Sequence, residues 1–124
     1  ISGDSNVTAE TQRIVEGADL LLHDALSVPT LSRLSEALST VGQSRMSKIV
    51  DDVMDYHAST DSLIDLSADI DAGIFAFYHL VPAPANMITT KIFERNLPEN
   101  YLVANDGDWF EMPSDSATII HTSD

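Results

Sequence analysis

The chain has 124 residues, of which 20 are acidic and 6 are Lys or Arg, so its formal charge is −14. Its length and its 44% hydrophobic content suit one folded domain with a core, which argues against disorder. A chain this acidic repels nucleic acids and anionic membrane surfaces, and no apolar run is long enough to span a bilayer. The absence of cysteine excludes disulfides and thiolate chemistry, so His, Asp, Glu or backbone oxygens must hold any metal.

The first third of the chain predicts alternating helix and strand. Thr8 is a suitable cap for a short helix that ends at Gly17. The apolar run 18–23 is typical of a strand buried on both faces. Pro29 lies in the first turn of a second helix, in which apolar residues recur at helical spacing until Gly42 ends it.

The middle of the chain predicts two further helices. Apolar residues recur at i, i+3, i+4, i+7 and i+8 over 46–54, which is the clearest amphipathic pattern in the sequence. This pattern predicts that Met46 and Met54 lie in the core. Ser59 or Thr60 then caps the next helix.

The last part of the chain predicts mainly strands. Gly73 precedes a β-rich run over 74–78, which is predicted to be a strand ending at His79. Asn86 is predicted to cap a helix that reaches about Asn96. Three short strands are predicted over 101–104, 109–112 and 117–121, with a turn at 105–108. Together these elements predict a single α/β domain over 1–124.

Polar side chains with metal-binding or acid–base chemistry stand at the ends of predicted strands. They are Asp4, the pair His23 and Asp24, and His79, and His57 in a helix connection can join them. A carboxylate and neutral imidazoles that meet in one crevice can hold a divalent metal. The same residues are also explained as a turn and as hydrogen-bonded polar groups that bind no ligand.

Four segments occur in an order that points to a known family. They are 1–5 (ISGDS), 17–25 (GADLLLHDA), 56–59 (YHAS) and 78–82 (YHLVP). This succession resembles the metallo-β-lactamase fold superfamily, most closely the branch with ribonuclease Z and the arylsulfatase-like enzymes. That branch has Ser-Gly-Asp-Thr/Ser, His-Glu-Ala, His-x-Ser and a strand-end histidine, in this order. The turn at 106–107 is similar to the branch's closing region.

The resemblance implies a role for each matched residue. Asp4 corresponds to the carboxylate that bridges two metals, usually zinc, and His79 to the last metal-binding histidine. His57 corresponds to the histidine that acts as an acid or stabilises the leaving group. Asp24 stands where the family has the glutamate that orients this histidine, since a carboxylate behind an imidazole fixes its tautomer. Other divalent metals also suit these donors.

The resemblance also implies a fold, namely the C-terminal half of an αββα sandwich, with a mixed sheet and covering helices. The family's main metal motif, His-x-His-x-Asp-His, is absent from residues 1–124. We therefore expect a piece of a longer protein, a single partial domain without its N-terminal half. With Asp4 and His79 alone it would bind metal weakly and catalyse little. We also expect its apolar sheet face to associate with that missing half or with a second copy.

The expected function follows from the family. The complete protein would be a metal-dependent hydrolase with two zinc ions, which activate water for attack on an ester-like centre. The −14 charge argues against polyanions, so a small ester, sulfate ester or lactone is the favoured substrate. The alternative is a non-catalytic, small acidic α/β module that acts by binding a protein partner. The sequence leaves its cellular compartment open.

Overall fold

A computed structural model describes residues 1–123 of the chain. Its five helices are α1 (Ala9–Val15), α2 (Val28–Thr40), α3 (Ser44–Val53), α4 (Thr60–Asp69) and α5 (Met87–Thr90). Its five strands are β1 (Leu20–Leu26), β2 (Ile74–Val81), β3 (Tyr101–Val103), β4 (Trp109–Glu111) and β5 (Ile120–Thr122). The α/β class predicted from the sequence is therefore confirmed. No helix within this part of the chain has the length and apolar character that a bilayer crossing requires.

The main sheet has the order β1-β2-β3, and both of its strand pairs are parallel. The sequence predicted a mixed sheet, but antiparallel pairing within residues 1–123 occurs in the separate β4–β5 pair. The main sheet is parallel because helical segments connect its strands and return the chain to the same edge. The segment that precedes α1 runs beside β1, where the Ser2 N–H donates to the Leu22 carbonyl.

Side-chain caps begin three of the helices at the residues that the sequence indicated. Thr8 caps α1 and exchanges hydrogen bonds with Thr11. The Ser59 side chain accepts from the backbone at the start of α4, and Asn86 does the same for α5. The helix that Asn86 begins ends at Thr90, several residues before the predicted end.

The core lies between the main sheet and α4. Phe75 and Phe77 of β2 pack against Tyr101 of β3, with ring centroids 4.5 and 5.4 Å from the tyrosine ring. The buried cluster comprises Val15, Leu21, Ala25, Ala58, Leu63, Leu66, Ile70, Phe75, Phe77, Phe93, Tyr101 and Val103. At the edge of this core, Gly73 directly precedes β2 and lies so close to the residue before β1 that an added Cβ would be 2.5 Å from the Asp19 carbonyl oxygen.

The α2–α3 pair has a smaller core of its own, formed by Leu26, Leu31 and Val50. Met54 packs against this cluster and is partly buried, but Met46 is 47% exposed. The prediction that Met46 lies in the core is therefore wrong. The helical spacing correctly identified one apolar face of α3, but α3 packs chiefly against α2, and this narrow contact leaves the first turn uncovered.

Candidate metal centre

A bulge in β2 sets the position of His79. Asp24 of β1 pairs with Tyr78 and Ala25 pairs with Leu80, so His79 is an extra residue between two paired positions. Its φ is 44°, in the left-handed region that costs a non-glycine residue about 1–3 kcal/mol. Bulges redirect a side chain while the ladder continues on either side. The sequence placed His79 at the end of its strand, whereas β2 continues to Val81.

Asp4 reaches the same place from the segment beside β1. Two hydrogen bonds from backbone N–H groups hold this segment. Ser2 donates to the Leu22 carbonyl, and Gly3 donates to the Tyr78 side-chain hydroxyl at 3.1 Å. Asp4 Oδ1 lies 2.7 Å from His79 Nδ1. The side chains of Asp4 and His79 are 64% and 48% exposed, so this pair forms an open rim. The carboxylate and the imidazole are therefore in direct contact, although Asp4 lies outside the strands and His79 lies inside β2.

His57 is held beside this pair by the chain between α3 and α4. The Leu26 N–H donates to the Ala58 carbonyl at 2.8 Å, which fixes this connection against the end of β1. The His57 side chain is 12% exposed, and its Nδ1 lies 2.8 Å from Oδ2 of the fully buried Asp24. The shorter carboxylate therefore makes the contact that the resemblance assigned to a glutamate. Nδ1 is assigned the proton because its partner is a carboxylate, which leaves Nε2 free.

One ligand atom from each of Asp4, His57 and His79 lies within 4.8 Å of the others. The His57 and His79 ring centroids are 5.6 Å apart. Two imidazoles and a carboxylate are a donor set found in catalytic zinc sites, so these residues fit a divalent metal. The sequence predicted two protein donors in this chain, and the structure brings a third within reach. Asp4 and His79 are in direct contact. The His57 ring lies next to His79 and is hydrogen-bonded to Asp24.

His23 has a different environment from the one that the sequence suggested. Its side chain is almost fully buried, and its Nδ1 lies 2.9 Å from the Asp24 carbonyl oxygen and 3.0 Å from Asp24 Oδ1. It is not one of the three donors. Because β1 continues to Leu26, His23 and Asp24 lie inside the strand rather than at its end. The sequence analysis did not predict this contact. The available signal was that His23 and Asp24 are neighbours at the end of an apolar run that was predicted to be a buried strand.

Family models and curated proteins give no match to this chain. These two comparisons therefore assign no family and no function to the α/β fold or to the cluster of Asp4, His57 and His79. Membership of the metallo-β-lactamase fold superfamily stays a prediction.

Proposed function

We propose that this chain forms part of a metal-dependent hydrolase with the αββα fold of the metallo-β-lactamase superfamily. Its substrate would be a small ester, sulfate ester or lactone. The observation that supports this proposal is the convergence of Asp4, His57 and His79, with the Asp24 carboxylate directly behind His57. The complete protein would hold two zinc ions, or other divalent metals with similar ligand preferences.

The residues divide into two groups by contact and exposure. Asp4 and His79 touch each other on an open rim and are the metal ligands. A bound divalent metal supplies an activated water and polarises the centre under attack. His57 is the acid: Asp24 holds its Nδ1–H, and its Nε2 takes up a proton from the solvent and gives that proton to the departing oxygen. The buried Asp24 stabilises the positive charge that His57 carries before this transfer.

The charge of the chain supports a small substrate. At −14, the surface repels phosphate-rich polymers, and the exposed rim residue Asp4 adds negative charge at the site. A neutral ester or lactone meets no such barrier, and a sulfate ester with one negative charge meets a much smaller one than a polyanion does. The open rim of Asp4 and His79 also leaves these groups accessible to a small molecule.

One observation favours the alternative, a non-catalytic module that binds a protein partner. Met87 and Ile88 in α5 are each exposed by 80%. Contact surfaces are built from contiguous exposed apolar side chains, and these two residues are neighbours in the chain. The same surface is compatible with a dimer or with an association between this chain and the rest of a longer hydrolase.

The test is an assay of the complete protein encoded by the reading frame that contains this chain. With zinc added, it should hydrolyse aryl esters, aryl sulfates or lactones. His57→Ala should keep near-normal metal content and lose roughly 10²–10⁴-fold in rate, the usual contribution of acid–base catalysis. Asp4→Ala should lose metal and activity together.

Three results would contradict this proposal. The first is an inactive, zinc-loaded protein, and the second is a His57→Ala variant that turns over good and poor leaving groups as fast as the wild type. The third is a start codon close to Ile1 with no upstream His-x-His-x-Asp-His motif, which would favour the binding module.

A further inference from the structure

Asp24 is a fully buried carboxylate whose two oxygens have different partners. Oδ2 lies 2.8 Å from His57 Nδ1, on the side of the candidate site. Oδ1 lies 3.0 Å from His23 Nδ1 and accepts the Ser5 N–H at 3.3 Å. A buried carboxylate depends on such neighbours, because they replace the water that it has lost. The position of Oδ2 therefore depends on what holds Oδ1.

The side chain that holds Oδ1 is His23. Both atoms next to its Nδ1, the Asp24 carbonyl oxygen and Oδ1, are acceptors, so Nδ1 carries the hydrogen and faces both. Its other nitrogen, Nε2, is buried without a hydrogen-bond partner among residues 1–123. An apolar side chain would fill this volume without that unpartnered nitrogen. The contact with Asp24 is what distinguishes histidine from such a side chain here.

We propose that His23 is a positioning residue, which holds Asp24 so that Oδ2 meets His57 Nδ1. The hydrogen-bond relay runs from His23 through Asp24 to His57, and it keeps His57 in the Nδ1–H tautomer. Without His23, the longer contact from the Ser5 N–H, at 3.3 Å, remains on Oδ1, and this weaker hold lets the carboxylate turn about its Cβ–Cγ bond and leave His57. The consequence for catalysis rests on the proposed function, whereas the effect on the His57 tautomer does not.

Three substitutions at His23 separate its donor from its volume. His23→Asn places a side-chain N–H near the position of Nδ1, and His23→Gln places it near that of Nε2. His23→Leu keeps a similar volume but donates nothing. The readout is the pair of His57 ring ¹⁵N shifts, measured by NMR on the chain at about pH 8.5, where a free imidazole is neutral. We expect wild type and His23→Asn to show the Nδ1–H tautomer, and His23→Gln and His23→Leu to show a mixture.

A purely structural role for His23 predicts another result. If His23→Leu folds and leaves the His57 tautomer unchanged, the positioning role is wrong. If His23→Leu does not fold, the comparison of His23→Asn with His23→Gln decides the question, because both are polar and only one keeps the donor in place. Identical His57 shifts in these two variants would overturn the proposal.

The experiment also separates this inference from the proposed hydrolase function. The His57 tautomer is measured without metal, substrate or activity. The NMR result therefore tests the role of His23 even if the complete protein is inactive. In an active complete protein, His23→Leu should lower kcat by roughly 10–100-fold with little change in KM, and His23→Asn should recover most of it. Activity that persists in His23→Leu together with an unchanged tautomer would refute the positioning role alone.

Discussion

Tyr101 joins the sheet to the helix that follows His57. Its hydroxyl donates to the Leu63 carbonyl of α4 at 2.5 Å, and its ring stacks on Phe75. Burial raises the pKa of the Tyr101 phenol to about 12. We predict that alkaline pH weakens the fold through this residue.

The sign and size of this effect follow from proton linkage. In the unfolded chain the phenol ionises near its ordinary pKa of about 10, whereas in the folded chain it keeps its proton to about pH 12. Between these values the folded state binds more protons than the unfolded state, so the free energy of unfolding falls as pH rises. The contribution is complete below pH 10, and at about 1.4 kcal/mol per pH unit roughly 2–3 kcal/mol is lost by pH 12.

Urea unfolding at about pH 8 and about pH 11.5 tests this prediction. Tyr101→Phe should be less stable than wild type at the lower pH by about 1–2 kcal/mol, because the Leu63 carbonyl loses its donor. At the higher pH this gap should close or reverse, since Phe has no proton to lose. Tyr56→Phe is the matched control, because Tyr56 is exposed, and it should decline in parallel with wild type. A parallel decline of Tyr101→Phe would refute the reasoning.

Three further predictions concern local features. His79→Gly should be about 1 kcal/mol more stable to urea than His79→Ala, because only glycine adopts φ 44° without strain, and equal stabilities would contradict this. Gly73→Ala should cost about 1–3 kcal/mol in thermal unfolding, because the new Cβ meets the Asp19 carbonyl oxygen, and an unchanged melting temperature would contradict it. The Asn105 N–H holds the pKa of Asp108 below its ordinary value, so this contact stabilises the turn above about pH 4 and is lost as pH falls through the lower, folded-state pKa. The chemical shift of the Asn105 amide proton should change through this acid transition and can be followed by NMR. The same pH-dependent change in Asp108→Asn would contradict the prediction.

The sequence predicted those parts of the fold that local signals determine. Thr8, Ser59 and Asn86 cap helices because a cap needs only its own side chain and the next three residues. Local signals did not predict where β1 and β2 end. β1 and β2 continue past His23 and His79 because the two strands pair with each other, and their pairing joins residues more than fifty positions apart.

The candidate site shows the same division. Residue type and order pointed to Asp4, His57 and His79, and the structure brings these three together. The bulge at His79 was not predicted, because it arises from the register of β1 against β2. The contact of His23 with Asp24 was not predicted either, because adjacency in the sequence does not by itself indicate a contact between two buried side chains. The sequence also could not predict how exposed each apolar side chain is. A helical pattern identifies an apolar face but not what covers it, and Met46 lies on such a face and is exposed.

The most direct test of the candidate metal centre is zinc binding by this chain, measured by titration calorimetry. Asp4→Asn removes a proposed ligand, and Asp52→Asn removes an equal charge from the exposed surface of α3. Salt at about 0.15 M shortens the Debye length to about 8 Å and weakens diffuse attraction to the −14 charge. We predict one zinc ion per chain in wild type and in Asp52→Asn, with at least about tenfold weaker binding in Asp4→Asn. Equal binding by all three proteins would show that the acidic surface collects the metal and that Asp4 and His79 do not form its site.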